Sequence, residues 1–144
     1  CGAQLMELRR TRVGNITDDS SVSLQDLKDA YIFWKEEGTE GELRKTILSM
    51  ERLLEVVPKI IVRDSAIDAL CHGANLAIPG VVEIDDDINV GQIAAVLSLK
   101  GEGVALVKME VPSLQVVEKD TGICASLERV LMNKGTYPSI WKKT

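Results

Sequence analysis

The chain holds a single histidine, His72, directly preceded by Cys71, one of only three cysteines. A thiol beside an imidazole suggests a nucleophile and its base. Adjacent side chains on a helix point about 100° apart, however, which is poor geometry for that pair. His72 reads equally as a helix C-terminal residue, where the dipole favours a cation, or as a polar contact to a ligand. Cys71 shares an apolar helical face with Ile67 and Leu70 at i, i+3, i+4 spacing and reads as core. The consecutive carboxylates Asp85, Asp86 and Asp87 fit no calcium-loop pattern and read as a solvated loop. Neither a GxGxxG nor a Walker A loop is present, and the widely spaced Cys1, Cys71 and Cys124 form no zinc or CxxC pattern. No metal and no cofactor is expected.

These residues belong to the stretch Arg63–Gly80, RDSAIDALCHGANLAIPG. Ser65 with Asp68 has the capping-box spacing, which predicts a short helix beginning there. Gly73 is expected to stop it in the left-handed conformation that a residue with a Cβ resists. Small residues follow: Gly73, Ala74, Asn75 and Ala77, then Pro79-Gly80, a pair typical of a type II turn. A capped helix running into small residues leaves backbone open to a flat ligand such as a nucleobase. A tight helix-to-strand connection with no ligand is the alternative reading.

Upstream, Ser23 and Asp26 make a second capping box, and Leu24, Leu27, Tyr31 and Trp34 recur at helical spacing before Gly38. A further helix is expected from about Glu42 to Val57, with Leu43, Ile47, Met50 and Leu54 on one stripe. The two would form a helical hairpin with Tyr31 and Trp34 in its core. Cys1–Gly14 supports a strand only through an imperfect alternation. Pro58 ends the helical part and marks a boundary between 1–57 and 58–144. Beyond it, Ile60–Val62, Ala77–Ile84, Ile93–Leu99, Val104–Val111 and Ile123–Met132 read as strands, and Ser113 is expected to cap a short helix through Glu118. Short strands with two small helices in under 90 residues suit a small mixed β-barrel, an α+β fold preceded by the hairpin.

Net charge is −5, split as −3 before Pro58 and −2 after it. A protein held to nucleic acid mainly by phosphate neutralisation is usually basic, so any such binding has to rest on local patches or on base contacts. Aromatics make up only 3% of residues, leaving few platforms for base stacking. No apolar run approaches the ~20 residues that span a bilayer, and no signal peptide is visible. Thiols this sparse suit a reducing compartment. The start at Cys1 rather than Met suggests a fragment or a processed product.

The run RDSAIDALCHGANLAIPG, its lead-in Val57-Pro58-Lys59-Ile60 and the ending from Arg129-Val130 to Tyr137-Pro138 resemble the PUA domain of dyskerin-type pseudouridine synthases. CGAQLMELRRTRVG resembles the segment that closes the catalytic domain in the wider family of T-loop-type tRNA and guide-RNA pseudouridine synthases. The resemblance implies a strand of a catalytic sheet at Cys1–Gly14 and a PUA RNA-binding domain over 58–144. It implies the guide-RNA-dependent branch, which acts in rRNA and tRNA modification. Its partners would be box H/ACA guide RNA, rRNA or tRNA and other protein subunits of the H/ACA particle, with no membrane, in the cytoplasm, or the nucleolus if eukaryotic.

The family uses one essential aspartate in a motif that no stretch of this chain resembles, so the chain alone is expected to be inactive and no residue is assigned to catalysis. Carried onto this sequence, the pocket for the ACA trinucleotide would be His72, Gly73, Ala74, Asn75, Leu76, Ala77, Ile78 and Pro79, reading unstacked bases. Lys59 and Arg63 would meet phosphates, with Tyr137, Lys142 and Lys143 in the tail. Two rivals stand beside this: a protein-interaction module docking through Tyr31 and Trp34, and a general tRNA- or rRNA-binding PUA module without ACA preference.

Overall fold

The computed structural model describes residues 2–139. Two compact units divide between Ser49 and Met50.

In the first unit, the strand expected over Cys1–Gly14 shrinks to a two-residue ladder, β1 (Arg12–Val13) paired with β2 (Ile16–Thr17) around Gly14 at φ +61°. A strand persists only with a ladder partner, and none of the described residues pairs with the stretch before Arg12. Arg9 instead forms an ion pair with Asp18 at 2.9 Å. Helix α1 (Leu24–Glu37) begins at the expected capping box: Asp26 N–H donates to Ser23 Oγ (3.1 Å) and Ser23 N–H to Asp26 Oδ2 (3.0 Å). Hydrogen bonds from the Ser23 side chain and then its backbone hold the Asp26 carboxyl below its usual range. Gly38 closes the helix in the left-handed region, φ +70°.

The long second helix does not form. Helix α2 covers Gly41–Thr46, and Ile47 is already extended at φ −113°, ψ 119°. Thr46 Oγ1 donates to the Leu43 carbonyl (2.9 Å), a local bond that competes with continuing the helix. The single turn α3 (Glu51–Leu54) belongs to the second unit, where Glu51 Oε1 accepts from Gly103 N–H (3.0 Å) and Leu54 is buried. Tyr31 and Trp34 are not core: they are 48% and 39% exposed, their ring centroids 5.7 Å apart. A 14-residue helix that buries only Ala30, beside a six-residue helix that buries nothing, does not enclose two rings.

The second unit is a curled six-stranded sheet. Its strands are β3 (Lys59–Val62), β4 (Leu76–Ala77), β5 (Val81–Ile84), β6 (Ile93–Leu97), β7 (Gly103–Met109) and β8 (Ile123–Val130), laid side by side as β4-β8-β7-β6-β3-β5. Only β3 and β6 run parallel. Helices α4 (Asp64–Cys71) and α5 (Ser113–Glu118) complete it.

The two edge strands, β4 and β5, are consecutive in the chain and joined only by the 3-10 turn Ile78–Gly80. One short segment therefore supplies both edges, which is how the sheet curls towards closure and hides edges that would otherwise pair with other chains. Inside lie Ile60, Val62, Ile67, Leu70, Leu76, Val96, Val104, Val107 and Cys124, all at most 1% exposed. The acidic run helps fix the wall: Asp85 Oδ2 accepts from Lys59 N–H (2.8 Å). Ser113 is the first residue of α5 rather than its cap, because its hydroxyl accepts from Ile88 N–H (3.2 Å).

Candidate nucleic-acid interface

Helix α4 starts earlier than its capping residues predict. The cap is Arg63, in extended conformation with no side-chain bond, and Ser65 already lies inside the helix. Two backbone bonds set this start: Arg63 N–H donates to the Gly80 carbonyl and Ala66 N–H to the Arg63 carbonyl, both 2.9 Å. The helix is thereby fastened at its N-terminus to the turn that ends β4. Its other end closes as expected. Gly73 takes φ +99°, its N–H donating to the Leu70 carbonyl (3.0 Å), while Ala74 N–H donates to the Ala69 carbonyl (3.0 Å). That pair of bonds is a Schellman motif.

Pro79-Gly80 is not a type II turn, since Gly80 lies outside the left-handed region. Glycine is needed there for space. A Cβ at Gly80 would stand 2.9 Å from Ala66 Cβ, so α4 and the turn are in direct backbone-level contact.

Between α4 and the segment Asn75–Gly80 lies a cavity of about 270 Å³, walled on the helix side by Ser65, Ala66, Ala69 and Leu70. Of the expected loop residues, Asn75, Leu76, Ala77 and Pro79 line it. His72, Gly73 and Ala74 sit exposed at the helix end, outside the lining. Ile78 turns into the core, 6% exposed. Asn75 Oδ1 accepts from Leu127 N–H (3.1 Å), where β8 bulges against β7. This fixes the amide orientation and leaves its two N–H groups as donors beside the cavity. His72 Nδ1 donates to the Asp68 carbonyl (2.8 Å) and lies 3.4 Å from Asp68 Oδ1, which directs Nε2 outward.

The cations scatter. Lys59 lies on β3 between β5 and β6 and lines neither this cavity nor the next. Arg63 lines a second cavity on the other side of the Ile78–Gly80 turn. Tyr137 is 7% exposed, with its hydroxyl donating to Glu102 Oε2 (2.5 Å) and Lys100 Nζ 5.7 Å from its ring centroid. Its ring is a latch on the β6–β7 hairpin and offers no face to a base. Lys142 and Lys143 lie outside the described residues.

Nucleophilic chemistry gains nothing here. Burial, and then the charge of Asp68, raise the Cys71 thiol above its usual range, and burial pushes Cys124 up to about 11. The sequence reading missed Ser65, Ala66 and Ala69 as cavity wall. Their signal was present as small residues at i, i+1 and i+4 of the helix, beside Leu70 at the margin of the apolar stripe.

A small, mainly apolar cavity lined by small side chains, with one oriented amide beside it, has room for a flat ligand that bonds along one edge. Comparison with known proteins gives the family to which the chain belongs. Residues 1–55 match the family model described as tRNA pseudouridylate synthase B C-terminal domain, and residues 58–131 match the PUA domain model. A probable tRNA pseudouridine synthase B of Methanosarcina acetivorans is 50% identical over 143 residues, covering 99% of this chain and 42% of that protein. Its counterpart in Methanopyrus kandleri is 49% identical over 140 residues, with 97% and 41% covered. The chain thus spans less than half the length of these curated relatives.

Among solved structures, the archaeal box H/ACA sRNP Nop10–Cbf5 complex matches with TM-score 0.85 and 43% identity, over 92% of this chain and 43% of that one. An H/ACA RNP bound to a substrate RNA containing 2′-deoxyuridine matches with TM-score 0.85 and 42% identity, over 92% and 42%. The chain belongs to the PUA domain family, its PUA domain preceded by the C-terminal domain of the tRNA pseudouridylate synthase B type, in the arrangement of the dyskerin-type Cbf5 proteins.

Proposed function

We propose that this chain is the RNA-binding portion of an RNA-guided pseudouridine synthase, in which residues 58–144 hold the ACA element and adjoining lower stem of a box H/ACA guide RNA. The whole protein would act in rRNA or tRNA modification in the cytoplasm, beside other protein subunits of the particle. No helix among the described residues is long and apolar enough to cross a membrane. The observation that carries the reading is the cavity between α4 and Asn75–Gly80, with the Asn75 amide fixed at its rim. A base edge can bond to those donors while Ala66, Ala69 and Ala77 leave room for its plane, which is how unstacked bases are read in sequence-specific RNA recognition.

The test is a binding titration of the chain and its Ala77→Trp variant against a hairpin RNA ending in ACA and one with the trinucleotide scrambled. Ala77 is exposed on β4, so an indole there fills the cavity without entering the core. The expected result is ACA preference in the parent and none in the variant. Preference that survives in a folded Ala77→Trp chain would remove the site from this cavity.

A second reading has its own observation. Tyr31 and Trp34 stand half exposed on α1, with Phe33 beside them 49% exposed, as a protein-docking face would. Replacing Tyr31 and Trp34 with serine would separate the two, because protein docking through α1 would be lost while the residues of the α4 cavity are unchanged.

A further inference from the structure

The closure of the sheet stops short at β5, and a cavity larger than the one beside α4 lies there. It measures about 470 Å³ and is bounded by the Ile78–Gly80 turn, all four residues of β5 and, from α5, Val116 and Val117. Pro79 lines this cavity and the smaller one alike, so the turn is a ridge between them. β5 pairs with β3 on one side, and no strand among the described residues pairs with its other side. Asp85 N–H donates to the Lys59 carbonyl (3.0 Å), towards β3. Backbone groups alternate along a strand, so the N–H and carbonyl of Ile84 point the other way, along the free edge. Val82 stands opposite no residue of β3 and is 51% exposed. An open edge of this kind is a template for another extended chain.

Charge along that edge has a direction. Arg63 lines the cavity at the start of β5, where its N–H bonds to the Gly80 carbonyl, and among the described residues no ion pair holds its guanidinium. Glu83 lines it towards the other end, where the exposed Asp86 follows. Lys119 and Asp120, side by side after α5, offset one another. We infer that this groove takes the C-terminal tail of a partner protein, laid as an extra strand antiparallel to β5 with its terminal carboxylate at Arg63. A parallel strand would set its carboxylate against the acidic end, so the charges select the antiparallel direction. Main-chain bonds to the edge give such a tail its affinity, and the groove wall gives specificity. Every second side chain of the tail meets Val116 and Val117, which favours apolar residues there, while a basic residue upstream faces Glu83 and Asp86. Arg63 holds the carboxylate through charge-assisted hydrogen bonds. The volume falls in the usual range for ligand sites, about 300–1,000 Å³. The inference stands apart from the base cavity across the ridge and from the rings on α1.

The test uses the 144-residue chain and a fluorescent peptide of about six residues, enough to span β5 at ~3.3 Å per residue. The peptide begins with lysine, alternates valine and threonine, and ends in a free carboxylate. Binding is read by anisotropy. Amidating the C-terminus should weaken binding roughly tenfold, the scale of a hydrogen bond to a charged group. Arg63→Gln, which keeps the backbone bond to Gly80, should weaken the free-carboxylate peptide equally and leave the amidated one unchanged. Two further peptides carry N-methyl groups on alternate amides, one set in each phase. Only the set that faces β5 should lose binding, and the parent peptide should slow hydrogen exchange at the Ile84 amide. Val117→Trp, at a side chain 77% exposed on the cavity, provides a steric block in a chain that still folds. Equal binding of both methylated sets, or of the amidated and free peptides, would overturn the inference. So would no peptide binding at all, and an ACA hairpin RNA that alone slowed exchange at Ile84 would give the groove to RNA.

Discussion

Introducing a single methyl group at Gly80 tests whether α4 and the 3-10 turn are packed as tightly as the structure requires. Gly80→Ala places a Cβ 2.9 Å from Ala66 Cβ and 3.7 Å from Leu76 Cδ1. Ordinary carbon contacts lie at about 3.5–4.0 Å, so α4 or the turn has to move by roughly 0.6–1 Å. That motion works against the Arg63 N–H bond to the Gly80 carbonyl. Overpacking of this kind costs about 1–3 kcal/mol. The alanine itself offsets ~0.4–1 kcal/mol, because Gly80 is not in the left-handed region and the unfolded chain loses freedom.

The clean quantity is the coupling, measured by urea unfolding of Gly80→Ala, Ala66→Gly and the double variant. With the Ala66 methyl gone, Gly80→Ala should turn neutral or slightly stabilising, giving a coupling of about 1–3 kcal/mol. If the two changes add within ~0.5 kcal/mol, as independent sites do, the close approach does not exist. The small cavity would then lack the wall described for it.

Cys124 predicts an alkaline limit. Its thiol titrates near 11 in the folded chain against a usual value of 9.0, so the unfolded chain loses that proton first and stability falls as pH rises from about 9 to 11; Cys124→Ala should flatten that part of a stability-against-pH curve. Tyr137→Phe, which removes the donor to Glu102, should lower stability by about 1.5–3 kcal/mol, the range for hydrogen bonds to charged groups, measured by denaturation. RNA affinity should depend shallowly on salt, with a log–log slope near 0.7 for each single-stranded phosphate neutralised; a slope above about 3 would place many more cations on the RNA than Lys59 and Arg63. The chain alone should leave uridine unchanged, and nucleoside analysis that finds pseudouridine above a no-protein control would contradict this.

The sequence alone determined those features that neighbours along the chain enforce. Ser23 and Asp26 are three residues apart and bond to each other whatever the rest of the chain does, so that helix start was legible. Gly73 ends α4 because no other residue takes φ +99° cheaply, and the β-branched run of β3 favours a sheet. Tertiary structure decided what distant residues impose. Ser65 has the right spacing to cap α4, yet the Arg63 bond to Gly80, seventeen positions on, starts the helix earlier. A heptad-like stripe from Leu43 to Leu54 looked like one helix until Gly103 claimed Glu51. Tyr137 looked like an open ring beside basic residues, and Glu102 drew it inward. The same division runs through the site. Small residues after Gly73 pointed to a place where backbone is open, but which side chains face it depends on how β4 and β5 close the sheet around the turn at Pro79. That closure sends Arg63 to one side of the ridge and Asn75 to the other, and periodicity carries no information about a ridge.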